Sequence, residues 1–224
     1  MSQYKKSEET KSIILQTASK LFYEMGYQAT TVRDISAVSG VSLSRLNYHF
    51  HSKAEVAATV CKAFLKNIND QVYRTILPIT NDLLLKDVIH IRLIAKGFIS
   101  DDPRMQFYYE IACENIVAEI LTQSSFLHFV EQSEYLSLGK RTEILRAYSH
   151  IFVAVLVEFM KSRHEGDPKL DEEQFLDLFS DMHLNLLDVA KDKRNELLQK
   201  AKEITKKMSF LMDDISSIKI VFTK

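Results

Sequence analysis

Glycine and proline are scarce in this chain, at 5 and 3 of 224 residues. Sheet proteins need frequent turn residues, so the scarcity argues for long helices joined by few connections. Long apolar runs are missing too. The longest, Ile151–Val157, falls far short of the ~20 residues that cross a bilayer. Met1–Thr10 is polar and has no apolar signal core, so a soluble, cytoplasmic protein without a membrane segment is expected. Cysteine is limited to Cys61 and Cys113, which match no zinc or redox spacing and sit in apolar-rich helical stretches. Both are expected to be buried free thiols in a reducing compartment. The seven histidines show no paired metal spacing, and neither a Gly-rich phosphate loop nor a nucleophile motif occurs. No metal site, no cofactor and no enzymatic activity are therefore assigned.

What the chain does have is core material. Hydrophobic residues make up 46% and charged residues 26%, ordinary for a globular protein. The length exceeds a lone binding module and predicts one or two domains sharing a core. Net charge is −1, but residues 1–53 carry seven basic against four acidic side chains, a surplus of three that leaves −4 for the rest. A mildly basic head on an acidic body suits a protein that presents one end to phosphate. A second basic stretch, Lys191–Lys207, reads as a solvated helix face.

Apolar periodicity predicts helices over most of the length. The first runs from Ser7 to Met25, with Ile14, Ala18, Leu21, Phe22 and Met25 on one stripe and Gly26 at a left-handed C′ position. Short helices follow at Val32–Val38 and Leu43–His49. Helix 4 spans Lys53 to about Ile76, opened by a Ser52/Glu55 capping box. Further helices are expected at Asp82–Ser100, from Asp102-Pro103 to Thr122, and at Ser125–Tyr135. Two long ones are expected at Lys140–His164 and Asp171–Met208. The stretch from Ile215 to Lys224 is read as disordered or extended.

Two short helices about a Ser39-Gly40-Val41 turn, behind an amphipathic helix, meet the requirements of a helix-turn-helix. Thr31 and Asp34 form a variant capping box. Gly40 allows the positive φ of the turn. Ile35, Val38, Val41 and Leu46 are spaced to pack the pair, and Ser36 is small where the helices approach. The second helix then offers Ser42, Ser44, Arg45, Asn47, Tyr48 and His49 to a DNA groove. Arginine pairs bidentately with guanine and asparagine with adenine, while hydroxyls suit phosphate.

The run Thr30–Ser42, followed by Leu46-Asn47-Tyr48-His49-Phe50-His51-Ser52-Lys53-Ala54-Glu55, resembles the signature of the TetR family of bacterial transcriptional regulators. The resemblance covers about residues 10–56. It implies an all-α fold of about nine helices: a three-helix DNA-binding domain at 1–53, and a helical effector-binding and dimerisation domain at 54–224. It implies a homodimer joined through residues 140–164 and 171–208, bound to a double-stranded operator and released by a small molecule. Carried onto matching positions, Thr31 and Lys53 hold phosphates, while Ser42, Ser44, Arg45, Asn47, Tyr48 and His49 lie in or beside the groove. Asn47 departs from the aromatic residue usual in the family. Lys5 and Lys6, where some relatives carry a basic arm, read as a solvated tail.

For the effector, His90, Phe107, Tyr108, Glu110, Cys113, Phe126 and Phe152 are the candidate pocket residues, and their bias points to a hydrophobic or aromatic ligand. Other readings stay open. His90 and Glu110 would serve as base and orienter if the scaffold were an enzyme. A protein partner would replace the small molecule if the regulator or its helix-turn-helix were a docking surface.

Overall fold

The computed structural model of the chain describes residues 3–76, 78–99, 106–166, 170–215 and 217–222. Among them the elements are α1 (Gln3–Ala29), α2 (Val32–Ser39), α3 (Leu43–His49), α4 (Lys53–Ile76), α5 (Leu83–Ile99), α6 (Gln106–Cys113), α7 (Ile116–Tyr135), α8 (Thr142–His164), α9 (Glu172–Leu186), α10 (Lys191–Thr205), β1 (Met208–Asp214) and β2 (Ser217–Phe222). The fold is all-α but for the β1–β2 hairpin. No described helix is long and apolar enough to cross a membrane.

The chain divides into two compact units that are not contiguous in sequence. The first comprises Met1–Asn67, Asp101–Val117 and Met212–Ile218, and the second comprises Ile68–Ser100, Ala118–Leu211 and Lys219–Lys224. In the first, α1 packs against α2, α3 and α6. The stripe Ile14, Ala18, Leu21 and Phe22 is buried as expected, but Met25 is 45% exposed. Phe22 stacks on Phe107 at 5.0 Å between ring centroids, and the Tyr108 hydroxyl donates to the Ile215 carbonyl at 3.0 Å.

The helix does break at Gly26, with φ 83° and ψ 170°, although helical bonding resumes as far as Ala29. That region of backbone space is essentially closed to side chains. The Glu110 carboxylate crowds the glycine, 3.0 Å from where a Cβ would stand, and accepts the Gln28 N–H at 2.9 Å.

In the second unit α5 packs against α8, α9 and α10, and α9 against α8 and α10. At the centre lies Arg92, fully buried. Its guanidinium donates to Asp177 at 2.6 Å, Glu173 at 2.7 Å and the Thr205 hydroxyl at 3.2 Å. Such forked, charge-assisted bonds satisfy a group that would otherwise be prohibitive to bury. An aromatic ladder joins α8 to α9: Phe159 stacks on Phe175 at 3.6 Å, and Phe152 on Phe179 at 4.0 Å. Each such pair contributes about 0.5–1.5 kcal/mol beyond its buried area.

Several expectations need correcting. The long helix expected at Asp171–Met208 is two, α9 and α10. Asp188 takes φ 56°, its N–H bonds the Asn185 carbonyl, and the Val189 N–H bonds the Leu184 carbonyl. This is a Schellman stop with aspartate where glycine is usual, and it raises the helix count to ten among the described residues. The break expected near Thr122–Ser125 falls instead at Asn115, φ 57°, so α7 runs through Thr122. The segment Ile215–Lys224 is partly strand, with Ile215 buried. Val38 is 66% exposed and does not pack the helix pair. Cys61 is buried but Cys113 is exposed. The expected helix start at Asp102-Pro103 lies outside the described residues, as does Asp167-Pro168 of the separator between the two long helices.

Candidate nucleic-acid interface and ligand cavity

The recognition module is built by short-range bonds. Thr31 caps α2: its hydroxyl accepts the Asp34 N–H at 3.2 Å, and the Asp34 carboxylate accepts the Thr31 N–H at 2.8 Å. The hydroxyl and N–H of Thr31 together hold the Asp34 carboxyl below its usual range. Gly40 closes the helix at φ 69°, with open space where a Cβ would stand. Ser36 then fixes the turn, its hydroxyl donating to the Val41 carbonyl at 2.7 Å. The sequence offered Ser36 only as a small residue, and this bond is what sets the path into α3. Ser42 caps α3 by accepting the Arg45 N–H at 3.4 Å.

Ile35 and Leu46 are buried between these elements, and the rest of α3 faces outward. Ser42, Ser44, Arg45, Asn47 and Tyr48 are exposed and His49 is half-buried. The face therefore carries one guanidinium, one amide and several hydroxyls, the donor and acceptor set that reads base edges and phosphates. Lys53 is more committed than expected. Its ammonium donates to the Tyr27 carbonyl at 2.9 Å and the Thr30 carbonyl at 3.0 Å, and it lies 4.1 Å from the centroid of the Tyr27 ring. Two of its three donors are thereby engaged. At the start of α4, Ser52 accepts the Glu55 N–H, but the Glu55 carboxylate returns to the His51 N–H, so the expected capping box is half formed.

The second unit contains a cavity of about 290 Å³. Tyr73 and Ile76 of α4, Leu83, Lys86, Asp87 and His90 of α5, and His128, Glu131, Gln132 and Tyr135 of α7 line it. The walls are aromatic and aliphatic and the floor is polar. Asp87 is 3% exposed and accepts from His128 Nε2 and, at 2.9 Å, from His183 Nε2. Burial alone would raise the Asp87 carboxyl, but the two imidazoles overcome it and hold the group well below the carboxylate range. Burial, with the neighbouring His128, pushes His90 down to about 3. His90 Nε2 meets Asn69 Oδ1 at 2.7 Å, which leaves Nδ1 as a bare acceptor. His90 Nδ1, Gln132 Oε1 and His183 Nδ1 are buried and make no hydrogen bond.

The seven candidate pocket residues do not assemble at one place. Phe107, Tyr108, Glu110 and Cys113 belong to the first unit, where Phe107 and Tyr108 are fully buried in aromatic packing. His90, Phe126 and Phe152 belong to the second. His90 lines the cavity, Phe126 lies under the Arg146 guanidinium at 4.5 Å, and Phe152 stacks in the α8–α9 ladder. The sequence missed Asp87, His128 and His183. They come from α5, α7 and α9, so no spacing within one helix marks them.

Comparison with known proteins identifies the first unit's module. Residues 14–60 match the family model described as bacterial regulatory proteins, tetR family. The match is confined to this module, which is similar to the DNA-binding segment of that family. The HTH-type transcriptional regulator TtgR of Pseudomonas putida is 36% identical over 50 residues, 22% of this chain and 24% of that protein. The HTH-type transcriptional repressor KstR2 of Rhodococcus jostii is 38% identical over 55 residues, 25% of this chain and 27% of that protein. The matched segment thus spans about a quarter of the length of these curated relatives. The fold likeness extends further. The structure of RolR in complex with resorcinol aligns with TM-score 0.64 at 13% identity, covering 89% of this chain and 96% of that one. A gamma-butyrolactone receptor, an ArpA-like protein, aligns with TM-score 0.51 at 15% identity, covering 90% and 98%. At such identities the likeness is one of fold alone.

Proposed function

We propose that the chain is a sequence-specific DNA-binding transcriptional regulator that works as a homodimer and leaves its operator when a small molecule occupies the cavity of the second unit. The outer face of α3 carries this reading. Leu46 and the Ser42 cap anchor a seven-residue helix, and Ser42, Ser44, Arg45, Asn47 and Tyr48 are turned to solvent. Repression is the sense of regulation assigned, in line with the repressor named among the relatives.

Support for dimerisation comes from α8 and α9. Each buries one stripe and leaves one large apolar side chain open, Ile151 at 49% and Leu178 at 58% exposed. Pairing of residues 140–164 and 171–208 across a two-fold axis would cover both and set two copies of α3 about 34–36 Å apart, one turn of DNA. The cavity's apolar walls and polar floor suit an aromatic ligand bearing hydrogen-bonding groups. Resorcinol and a gamma-butyrolactone, named with the two fold neighbours, are the first probes. Tyr73 and Ile76 at the end of α4 line the cavity, and the same helix begins at Lys53. An effector acts by favouring one of two settings of α4, and its leverage is limited to its differential affinity for them.

The test begins with selection of bound sequences from random duplex DNA, followed by anisotropy titration at fixed salt. Arg45→Ala is expected to weaken operator binding by about 10- to 100-fold while sedimentation still reports a dimer. Leu178→Glu is expected to yield a monomer. Undiminished affinity in Arg45→Ala, or a wild-type chain indifferent to every duplex at low salt, overturns the reading.

A further inference from the structure

We propose that Asp87, His128 and His183 form a binding site for a divalent transition ion of the zinc class, with an open coordination position facing the cavity. One ligand atom from each lies within 4.8 Å of the others. Three helices contribute one residue apiece, so the site exists only in the folded chain. Two imidazole nitrogens and one carboxylate are a donor set of intermediate softness. It suits zinc, cobalt or nickel, and is poor in oxygen for calcium or magnesium. Three protein ligands with a fourth position open is the arrangement of zinc sites that also bind a small molecule or water.

Two further observations point to an occupant. The first is charge. Asp87 is a buried carboxylate whose ion pairs, among the described residues, are to His128 and His183 alone. Among the described residues no lysine or arginine pairs with it, and a bound dication would neutralise it. The second is unfinished bonding. His90 stands next to His128, ring centroids 5.3 Å apart, with its Nδ1 unbonded, and Gln132 Oε1 at the same cavity is unbonded too. Both are acceptors. A water or a ligand hydroxyl on the metal's open position would donate to them. His183 lies behind, fully buried against Phe129 and Phe152, and that packing restrains its ring. The rival is a closed hydrogen-bonded network in which the two imidazoles serve Asp87 with protons and nothing else binds.

Tag-free full-length protein, stripped with chelator, is titrated with zinc by calorimetry and with cobalt by visible absorption, with magnesium as control. One zinc per chain is expected, with the ligand-field bands of a low-coordinate site for cobalt and no response to magnesium. His128→Gln and His183→Gln are each expected to weaken zinc binding by at least about 100-fold, the upper end of what outer-shell changes cost. Replacement of the exposed His51 is expected to change nothing. If folded wild type takes up no zinc, or if the variants bind it as well as wild type, the site is a hydrogen-bonded network only. The measurement needs no DNA, so the site stands or falls apart from the regulatory reading. It is also decided on wild type alone should a variant fail to fold.

Discussion

The recognition module and the bundle around α5 are held by polar bonds of opposite range. Around Gly40 the bonds close over three to five residues: Thr31 with Asp34, Ser36 with Val41, Ser42 with Arg45. In the bundle, Arg92 reaches partners 81, 85 and 113 residues away, and Asp87 reaches partners 41 and 96 away. Local bonds set backbone direction, so they place a reading surface without needing a large core. Distant bonds tie helices together around buried charge, and they build the polar cavity floor. A short helix held out to solvent needs the first kind and a chamber needs the second.

Cutting one bond of each kind tests the difference. The largest effect is expected from Arg92→Ala, which empties a fully buried site and strips Glu173 and Asp177 of the guanidinium they share, although Asp177 keeps Lys202. Breaking a buried pair from one side costs about 3–5 kcal/mol. Partial exposure of the two carboxylates, 27% and 35%, places the expectation at the lower end. Urea unfolding followed by circular dichroism measures it, and a loss under about 1 kcal/mol would show that the distant bonds contribute little. Thr31→Ala removes one local cap and is expected to cost about 1 kcal/mol. The Asp34 carboxyl is held low by Thr31, so the cap's help is present above the ordinary carboxylate range and is lost as pH falls through Asp34's own, lower pKa. In the alanine variant that acid-side loss should shrink without vanishing, because the backbone N–H at position 31 still donates to the Asp34 carboxylate.

The same contrast explains what was legible. Thr31, Gly40, Ser42 and Ser52 announce themselves because a cap or turn residue and its partner are neighbours in sequence, and α2, α3 and α4 were located to within a residue. The periodicity of α8 gave its extent. What failed were two stops made without glycine. Asn115 and Asp188 take positive φ, and asparagine and aspartate are common enough inside helices to hide there. The cavity failed for another reason. His90 was singled out, but Asp87, His128 and His183 are ordinary side chains until α5, α7 and α9 meet. Phe107 and Tyr108 drew attention as aromatics and turned out to be core of the first unit.

The non-glycine stops offer a smaller test, with the opposite sign. Ser137 sits at the C′ position of α7: its N–H bonds the Glu134 carbonyl, and the Leu138 N–H bonds the Ser133 carbonyl. It is exposed, at φ 53°. A side chain there carries a conformational penalty that glycine lacks. Ser137→Gly is expected to raise stability by about 0.5–1 kcal/mol, read from the same urea curves. A loss of that size would mean the stop is set by packing around it and not by backbone preference.

The smallest perturbation leaves stability alone and compares two atoms within the first unit. Cys61 is buried on α4, and burial pushes its thiol up to about 12. Cys113 is exposed at the end of α6. The thiolate is the reactive form, so at mildly alkaline pH a disulfide reagent should modify Cys113 alone. One thiol per chain should react in native protein and two in denaturant. Equal native rates for both would mean that α4 opens around Cys61 on the timescale of the reaction, and that the first unit, for all its short-range bonds, is loosely closed at its core.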